Sequence, residues 1–385
     1  MRILVAMSGG VDSATVAGLL HEAGHEVIGV TLQLYDHGRA VGRAGSCCAG
    51  QDIYDARRVA DHLGIPHYVI DAEARFRQTV IEDFVESYAR GETPVPCARC
   101  NEGVKFGDLF ALARDLGAEA LATGHYVRRL EGEYGPELHR ARDLSRDQSW
   151  FLYGIRREAL AFCRFPLGDH ESKAAVRAEA SRLGLPVAAK PDSQDICFVP
   201  SGRYTDLIAK LRPEALTPGP IVTEAGEVVG THQGLARYTV GQARHLGTAA
   251  QRAGEPYVVV GLDAAANRVI VAPRHRAGVR EIRLRAVNWL IDPPAAPLAC
   301  AVKLRARETP QPAEIWAASE GGAVVRLGAP ALAAPGQACV FYEGTRLLGG
   351  GIIAGGVTAQ DATREEGGGV DERAGAGVLR SASAA

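Results

Sequence analysis

Residues 2–13 read RILVAMSGGVDS, an apolar strand-like run followed at once by a short glycine-rich loop. Two adjacent glycines, Gly9 and Gly10, allow the backbone to approach an anion closely, and the first amides of a following helix supply donors. The hydroxyls of Ser8 and Ser13 add further donors. The stretch therefore predicts a strand, a loop and a helix that together hold a polyphosphate, with an ordinary tight turn as the alternative.

The first half of the chain alternates apolar strand-like runs with amphipathic helical stretches. The runs read RILVAM, HEVIGVTL, HYVID and EALATGHY, and helices are predicted at 13–23, 52–63, 76–90 and 106–116. This alternation predicts an α/β domain, residues 1–200, in which helices cover both faces of a parallel sheet.

Short strands interrupted by Gly and Pro follow residue 200. We predict a small central β-rich domain at 201–276 and a C-terminal antiparallel β-barrel at 277–357, because a closed barrel leaves no exposed strand edges. Residues 358–385 are rich in Ala, Gly and charged residues and have no periodic apolar face. We therefore predict a disordered tail there.

Composition and charge limit the class of protein. The chain has 385 residues, of which 46% are apolar and 23% charged, as expected of a soluble protein with several domains. Its N-terminal apolar run is too short for a signal peptide or membrane span, so a cytoplasmic location without membrane contact is expected. The eight cysteines are then expected to be buried or reactive thiols. The formal net charge of -2 means that any nucleic-acid site must be local.

Two segments carry candidate reactive thiols. TPVPCARCNEGVKF contains Cys97 and Cys100 just before a predicted helix, whose N-terminus would favour the thiolate, and KPDSQDICFVP contains Cys197. A CxxC pair also suits half of a zinc site, but the adjacent Cys47 and Cys48 do not supply a second close pair. The remaining cysteines have apolar neighbours and are predicted core residues: Cys163, Cys300 and Cys339.

Eight motifs occur in one order: SGGVDS, TPVPCARCN, KFGDL, ATGHY, RDQSWFLY, KPDSQDICF, YTVGQ and PGQACVFYEG. Over roughly residues 1–355 the chain resembles the tRNA-specific 2-thiouridylase family, part of the PP-loop ATP pyrophosphatases. The resemblance implies 2-thiolation of the wobble uridine of tRNA Glu, Gln and Lys, through ATP-dependent adenylation of the C2 oxygen and sulfur transfer from a cysteine persulfide. ATP and Mg²⁺ are the implied cofactors. The expected partners are tRNA and a sulfur-relay protein or cysteine desulfurase, and the chain is expected to be a monomer.

The resemblance also assigns site residues. It makes Cys100 the nucleophile and Cys197 the persulfide carrier, with a transient disulfide between them, and Asp12 is the candidate magnesium ligand. The positions that match ATP contacts are Ala6, Met7, Ser8, Gly9, Gly10, Val11, Asp12, Ser13, Leu32 and Gly124. The positions that match tRNA contacts are Val95, Pro96, Cys97, His125, Arg146, Asp147, Gln148, Arg305, Ala306 and Gln337. A core histidine remains the alternative for His125, and a polar turn for 146–148.

One departure from the family pattern concerns the thiols. Where the family has Asn-Pro-Asp or Asn-Pro-Cys, this chain has Val95, Pro96 and Cys97, so it lacks a side-chain amide that could contact the base. Cys97 adds a third thiol, and three thiolates could hold an iron–sulfur cluster. The persulfide route is favoured over this alternative because a Cys100–Cys197 disulfide needs no metal.

Basic residues follow two predicted barrel strands. Period-two alternation predicts Arg283 and Arg285 on one strand face, and Lys303, Arg305 and Arg307 on another. We predict that these residues track tRNA phosphates, with a solvated outer face as the alternative.

Three other functions are alternatives to this interpretation. Amide-forming PP-loop synthetases have the same loop but no use for the Cys100 and Cys197 pair, and a 4-thiouridine synthetase shares the loop and thiol chemistry. A non-catalytic nucleotide-binding or RNA-binding module would need neither the thiols nor Asp12.

Overall fold

A computed structural model describes residues 1–35, 49–192, 196–199, 203–247 and 256–357. Its strands are β1 Arg2–Ala6, β2 Glu26–Gln33, β3 His67–Asp71, β4 Ala120–Ala122, β5 Val127–Gly132, β6 Gly135–Arg140, β7 Cys163–Arg164, β8 Gly219–Thr223, β9 Val228–His232, β10 Tyr257–Asp263, β11 Arg268–Pro273, β12 Val279–Trp289, β13 Leu298–Lys303, β14 Gln311–Ala317, β15 Ala323–Ala331, β16 Ala338–Glu343 and β17 Arg346–Val357. The predicted tail at 358–385 and the Cys47–Cys48 pair lie outside the described residues.

The helices follow the same chain order. The α-helices are α1 Val11–Glu22, α2 Ala49–Leu63, α3 Glu73–Phe76, α4 Glu82–Ala89, α5 Pro96–Arg99, α6 Leu109–Asp115, α7 Arg157–Phe162, α8 Lys173–Arg182 and α9 Tyr204–Leu211. Two π-helices, Arg77–Ile81 and Cys100–Asp108, continue α3 into α4 and α5 into α6. Short 3₁₀ segments lie at Ser149–Leu152, Pro213–Leu216, Leu235–Arg237, Arg274–Arg276 and Ser319–Gly321.

Five strands form a parallel sheet in the order β3-β2-β1-β4-β7. Side chains alternate along the central strand: Leu4 joins the apolar cluster on one face, while Ile3 and Val5 join the cluster on the other. Residues of α1, α2 and α8 pack on the second face, and residues of α6 and α7 pack on the first. The predicted α/β fold with helices on both faces is confirmed.

One helix differs from its predicted bounds in a way that affects the thiols. The sequence predicts a helix from Phe106, but helical backbone begins at Pro96, where a proline at the first position is favourable. Cys100 therefore lies inside a continuous helical segment rather than just before one. The prediction was wrong here because a π-turn shifts the apolar spacing that marks an α-helix.

The C-terminal strands close into an antiparallel barrel, as predicted. Six strands follow the order β12-β15-β14-β13-β16-β17, and β12 also pairs with β17. The hairpin β5–β6 of the α/β domain extends this sheet, because His139 pairs with Arg346 of β17. In the sequence between the α/β domain and the barrel, four strands form a separate sheet in the order β10-β11-β8-β9. No helix in the described ranges is long and apolar enough to span a membrane.

Candidate functional site

The glycine-rich loop connects β1 to α1 and is shaped for an anion. Gly9 has φ +71° and packs so closely on the backbone of Asp52 that a Cβ would collide with it. The Ser13 hydroxyl accepts a hydrogen bond from the backbone N–H of Ser8 at 3.0 Å, which folds the loop over the helix start. No side chain caps α1 at Gly10, so its first amides remain available to a phosphate.

The carboxylate of Asp12 is bound by two side chains that are not among the predicted site residues, Lys173 and Tyr126. Lys173 Nζ lies 2.7 Å from both carboxylate oxygens, and the Tyr126 hydroxyl donates to Oδ1 at 2.7 Å. Lys173 also reaches Asp192 at 2.9 Å. The position between these two carboxylates is thus filled by an ammonium group. Asp12 does not fit as a ready ligand for a protein-held magnesium ion while this ion pair is in place.

A second lysine, Lys190, closes the other side of the loop. Its Nζ donates to the Gly9 carbonyl oxygen at 3.0 Å and to the carboxylates of Asp52 and Asp55 at 2.7 Å each. Burial alone would lower the pKa of Lys190, but these two carboxylates raise it overall. Lys190 therefore remains charged beside the proposed phosphate position. Its place in the KPDSQDICF motif is the signal that could have identified it from sequence.

Gly124 links the loop to the rest of the site. A Cβ at this position would lie 2.9 Å from the backbone nitrogen of Ser13 and 3.1 Å from Asp12. The strand end at Gly124 therefore packs directly on the start of α1. Of the other residues that match ATP contacts, Met7 donates its N–H to the Val30 carbonyl oxygen at 2.8 Å.

Three thiols come together beside this junction. Cys100 is buried at 6% exposure, whereas Cys97 and Cys197 are exposed. Cys97 acts electrostatically on Cys100, and both act on Cys197. Phe198 anchors the Cys197 segment, since its ring lies 5.2 Å from that of Phe84. The structure thus brings together the two thiol segments that the sequence separates, and all three are free thiols.

The protein environment disfavours the thiolate form. Burial raises the pKa of Cys97 and Cys100 above the usual range and the pKa of Cys197 to about 12. Although part of Cys97 and of Cys197 is exposed, nearby protein atoms still desolvate their sulfurs. The expectation that a helix N-terminus lowers the pKa of Cys97 and Cys100 is wrong, because desolvation is the larger effect. Among the residues described, no three His, Cys, Asp or Glu side chains are arranged to hold a metal ion.

His125 faces the same region. Its Nδ1 lies 2.8 Å from the Thr123 hydroxyl, and its ring packs 5.8 Å from that of Phe106. Burial, and secondarily the charge of Lys105, lower the pKa of His125 well below its ordinary value. The imidazole is therefore neutral at physiological pH, which suits a hydrogen bond to an uncharged base.

Family models match successive parts of the chain. They are described as a tRNA methyl transferase HUP domain at residues 1–201, a tRNA methyl transferase PRC-barrel domain at 205–273 and an aminomethyltransferase beta-barrel domain at 279–353. A tRNA-specific 2-thiouridylase MnmA from Acidiphilium cryptum (strain JF-5) is 68% identical over 353 residues, which cover 92% of this chain and 100% of that relative. The chain belongs to the tRNA-specific 2-thiouridylase family.

Further 2-thiouridylase relatives agree. The one from Gluconobacter oxydans (strain 621H) is 58% identical over 92% of this chain and 99% of its own length. Among solved structures, a 4-thiouridine synthetase–RNA complex with bound ATP aligns at 15% identity with a TM-score of 0.33, over 55% of this chain and 50% of that one. That likeness is too low to support an argument about function.

The stretch that matches 2-thiouridylase tRNA contacts at 146–148 is an internally bonded turn. Asp147 has a side chain only 1% exposed and binds Arg140 Nε at 2.9 Å. Gln148 Oε1 accepts from the Tyr126 N–H at 2.9 Å, and Arg146 lies 3.2 Å from Asp192. The side chain of Asp147 therefore shapes this turn from within. RNA contact at these three positions stays a prediction.

Val95 and Pro96 belong to the thiol segment. Val95 packs against the apolar cluster of the first sheet face, and Pro96 begins α5. On the barrel, Ala306 packs against that same cluster, and Arg305 Nη2 donates to the Val240 carbonyl oxygen at 3.3 Å. Gln337 Nε2 donates to the Thr93 carbonyl oxygen at 3.0 Å. These tRNA-matching positions therefore adjoin the junction between the domains.

The predicted second basic ridge does not form as a strand face. Lys303 is the last residue of β13 and is 3% exposed, with Nζ 3.9 Å from Asp147. Arg305 and Arg307 lie beyond the strand end, where period-two alternation no longer applies. Arg307 is exposed, whereas Lys303 is interior. The prediction that Lys303 faces phosphates is wrong because its side chain is buried beside the carboxylate of Asp147.

A cavity of about 690 Å³ adjoins the Cys197 segment. It is lined by Ile196, Val199, Arg203, Tyr204, Thr205, Thr231, Gln233, Arg237, Tyr238, His245 and Gly247. Two of its lining residues, Ile196 and Val199, flank Cys197 in sequence. The cavity therefore lies between the α/β domain and the central sheet, away from the glycine-rich loop.

Proposed function

We propose that the protein is a tRNA-uridine 2-sulfurtransferase that replaces the C2 oxygen of the wobble uridine with sulfur at the expense of ATP. The observation that carries this proposal is the junction at Gly124 and His125. Gly124 packs on the glycine-rich loop, and the next residue, His125, shares the electrostatic environment of the thiols through Lys105. These two neighbouring residues support a reaction in which nucleotide activation and sulfur transfer take place close together. Identities of 52% to 68% with relatives named tRNA-specific 2-thiouridylase support the same reaction.

The first half-reaction activates the base. The uridine O2 attacks the α-phosphorus of ATP, AMP is transferred to that oxygen and pyrophosphate leaves, which makes the oxygen a good leaving group. The amides at the start of α1 are suited to hold the phosphates, and the charged Lys190 adjoins them through Gly9. Magnesium would supply charge neutralisation to the phosphates. Because Lys173 occupies the carboxylate of Asp12, we do not assign that carboxylate as a magnesium ligand.

The second half-reaction transfers sulfur. The outer sulfur of a Cys197 persulfide attacks C2 of the adenylated uridine. The Cys100 thiolate then attacks the inner sulfur of Cys197, so the S–S bond breaks and its electron pair remains on the transferred sulfur. AMP departs, C2 becomes a thiocarbonyl and a Cys100–Cys197 disulfide forms. A dithiol reductant supplies two electrons to restore both thiols, and a persulfide donor reloads Cys197.

The neutral His125 fits this scheme as a base contact. Its ring is held by Thr123 and Phe106 beside the thiols, so it can accept from or donate to an unstacked uridine without adding charge. An anticodon loop offers bases that unstack at low cost. We propose that the protein acts on such a loop, with a sulfur-relay protein or cysteine desulfurase as the persulfide donor.

The proposal is tested by mass spectrometry of tRNA nucleosides from a strain that lacks its own 2-thiouridylase. Expression of this chain should restore 2-thiouridine derivatives at the wobble position, whereas the Cys197→Ser variant should not. Pyrophosphate exchange into ATP should depend on added tRNA. Exchange without tRNA, combined with a failure to restore 2-thiouridine, would favour an amide-forming synthetase instead.

A further inference from the structure

Lys105 occupies a special place relative to the thiols. It lies in the π-helix Cys100–Asp108, whose hydrogen bonds run from residue i to residue i+5. Cys100 and Lys105 are five residues apart, so one π-turn returns Lys105 to the side of the helix that carries Cys100. An α-helix would place this pair on diverging faces. The uncommon helix type therefore has a direct consequence for the position of this ammonium group.

The carboxylates close to Lys105 in sequence are already paired with arginines. Glu102 binds Arg99 at 3.1 Å, and Asp108 binds Arg75 at 3.4 Å. Lys105 itself is half-buried and forms no ion pair or hydrogen bond within the described parts of the chain. Lys173 and Lys190, by contrast, are each held by two carboxylates. The ammonium group of Lys105 is therefore not paired with the acidic residues nearest to it in the sequence.

The groups that Lys105 does act on belong to three separate segments. Its charge opposes the larger upward effect of burial on the pKa of Cys97 and Cys100, which lie on its own helical segment, and on the pKa of Cys197 in a separate segment. The charge of Lys105 also contributes, after burial, to the lowered pKa of His125, which lies just beyond the end of β4. One cation, which has no ion-pair partner among the described residues, therefore acts on all three thiols and on the proposed base contact.

This position matters because desolvation opposes the charge state that sulfur transfer needs. Only a thiolate or a persulfide anion is an effective nucleophile, and burial disfavours both. An ammonium group close to a buried anion favours its charged form, and more strongly when no carboxylate neutralises the ammonium group.

We propose that Lys105 is a positioning residue for sulfur transfer, whose ammonium group stabilises the anionic sulfur on Cys197 and Cys100 inside the buried site. The role in sulfur transfer rests on the proposed function, whereas the experiment below measures the thiols without tRNA or ATP. The ammonium group acts before the outer sulfur attacks C2 and again when the Cys100 thiolate attacks Cys197. It exchanges no electrons, and each proton released from sulfur passes to solvent.

The test measures thiol reactivity directly. The Lys105→Met variant keeps the length of the side chain, Lys105→Arg keeps the charge, and Lys210→Met removes an exposed lysine elsewhere as a matched control. Alkylation of the native protein by iodoacetamide is followed from pH 6 to 10, with mass spectrometry of the peptides that carry each cysteine. Lys105→Met should slow alkylation of Cys100 and Cys197 by about tenfold at pH 7.5 and by a similar factor at higher pH values below the raised pKa values of these thiols, because the thiolate fraction there falls tenfold for each unit by which the pKa rises.

The controls separate charge from packing. Lys105→Arg should restore most of the reactivity, and Lys210→Met should match the unmodified protein. A structural role alone would lower thermal stability in both Lys105 variants, without a loss of alkylation rate that the charge of Lys105→Arg restores. Unchanged alkylation rates of Cys100 and Cys197 in a folded Lys105→Met protein would overturn the proposal, as would equal losses of rate in Lys105→Arg. Because no tRNA is present, these outcomes are independent of whether the chain restores 2-thiouridine in a strain that lacks its own enzyme.

Discussion

Arg285 and Glu92 form a two-point ion pair that joins the barrel to the thiol segment. Arg285 Nη1 lies 2.8 Å from one carboxylate oxygen of Glu92, and Nη2 lies 2.8 Å from the other. The next residue, Thr93, donates its N–H to the Pro335 carbonyl oxygen at 2.8 Å and accepts from Gln337. The backbone that leads into Cys97 is therefore fixed by the barrel. A domain expected to bind RNA also positions the reactive thiols.

The Glu92–Arg285 pair predicts a specific dependence of stability on pH. Burial alone would raise the pKa of Glu92, but Arg285 and Arg90 lower it overall. A carboxyl with a lowered pKa stabilises the fold above its unfolded pKa, near 4.5, and that contribution is lost as pH falls through the lower folded value. Glu92→Gln should cost about 1 kcal/mol of unfolding free energy at neutral pH, with a difference that shrinks below pH 4.5.

Chemical denaturation at several pH values measures this difference. Glu131→Gln serves as the control, because Glu131 pairs with Arg129 at the surface with a side chain 70% exposed. A Glu92→Gln deficit that is equal at pH 7 and pH 4 would show that the carboxylate charge is not the cause.

The exposed and buried basic residues of the barrel should behave differently. Arg307→Ala should flatten the dependence of tRNA affinity on salt by about one charge, because Arg307 is exposed and free to meet a phosphate. Lys303→Met should leave the salt dependence unchanged, because Lys303 is buried beside Asp147. Fluorescence titration of tRNA at increasing KCl measures both slopes. A flattened slope in Lys303→Met alone would show that Lys303, and not Arg307, meets a phosphate.

Asp12 and Lys173 should act as one unit in adenylation. Asp12→Asn and Lys173→Met should each slow tRNA-dependent AMP formation by about a hundredfold, since each removes one half of the ion pair beside the loop. If Asp12 serves chiefly to hold Lys173, the double variant should be little worse than either single one. A magnesium requirement that rises sharply in Asp12→Asn but not in Lys173→Met would instead make Asp12 a direct metal ligand.

The two principal thiols should separate by the species that accumulates. With a cysteine desulfurase and labelled cysteine, Cys100→Ser should form a protein-bound persulfide but no 2-thiouridine, because only the release of sulfur is blocked. Cys197→Ser should form neither. Peptide mass spectrometry locates the label, and Cys163→Ser is the control because that thiol lies in the apolar core. Label on Cys100 would reverse the two roles.

Cys97 distinguishes the persulfide route from the iron–sulfur alternative. Cys97 is exposed and its pKa is raised, so its thiolate form is disfavoured, and the persulfide route assigns it no step. Cys97→Ala should therefore remain colourless when purified anaerobically and keep most of its thiolation activity. Iron analysis and visible absorption check the first point. Iron-dependent activity that disappears in Cys97→Ala would overturn the persulfide route.

Sequence patterns were sufficient for the overall fold because they depend on local periodicity. The run RILVAMSGGVDS places a strand, a glycine loop and a helix in order, and Gly9 has the positive φ that its residue type permits. The alternation of strands and helices likewise predicts a parallel sheet covered on both faces. The resemblance to the 2-thiouridylase family then singled out Cys100 and Cys197, which lie in the motifs TPVPCARCN and KPDSQDICF.

Only the tertiary structure decided which lysines form ion pairs with carboxylates of the protein and which lysine lies near the thiols instead. Lys173, Lys190 and Lys105 are alike in sequence, yet two are held by carboxylates and the third faces the thiols. Lys303 was predicted to lie at the surface because period-two alternation groups side chains on one face but does not show whether other parts of the protein cover that face. Pairing, burial and the π-turn at Cys100 arise from contacts between distant segments, and desolvation by those contacts sets the pKa of each group. No pattern of neighbouring residues encodes them.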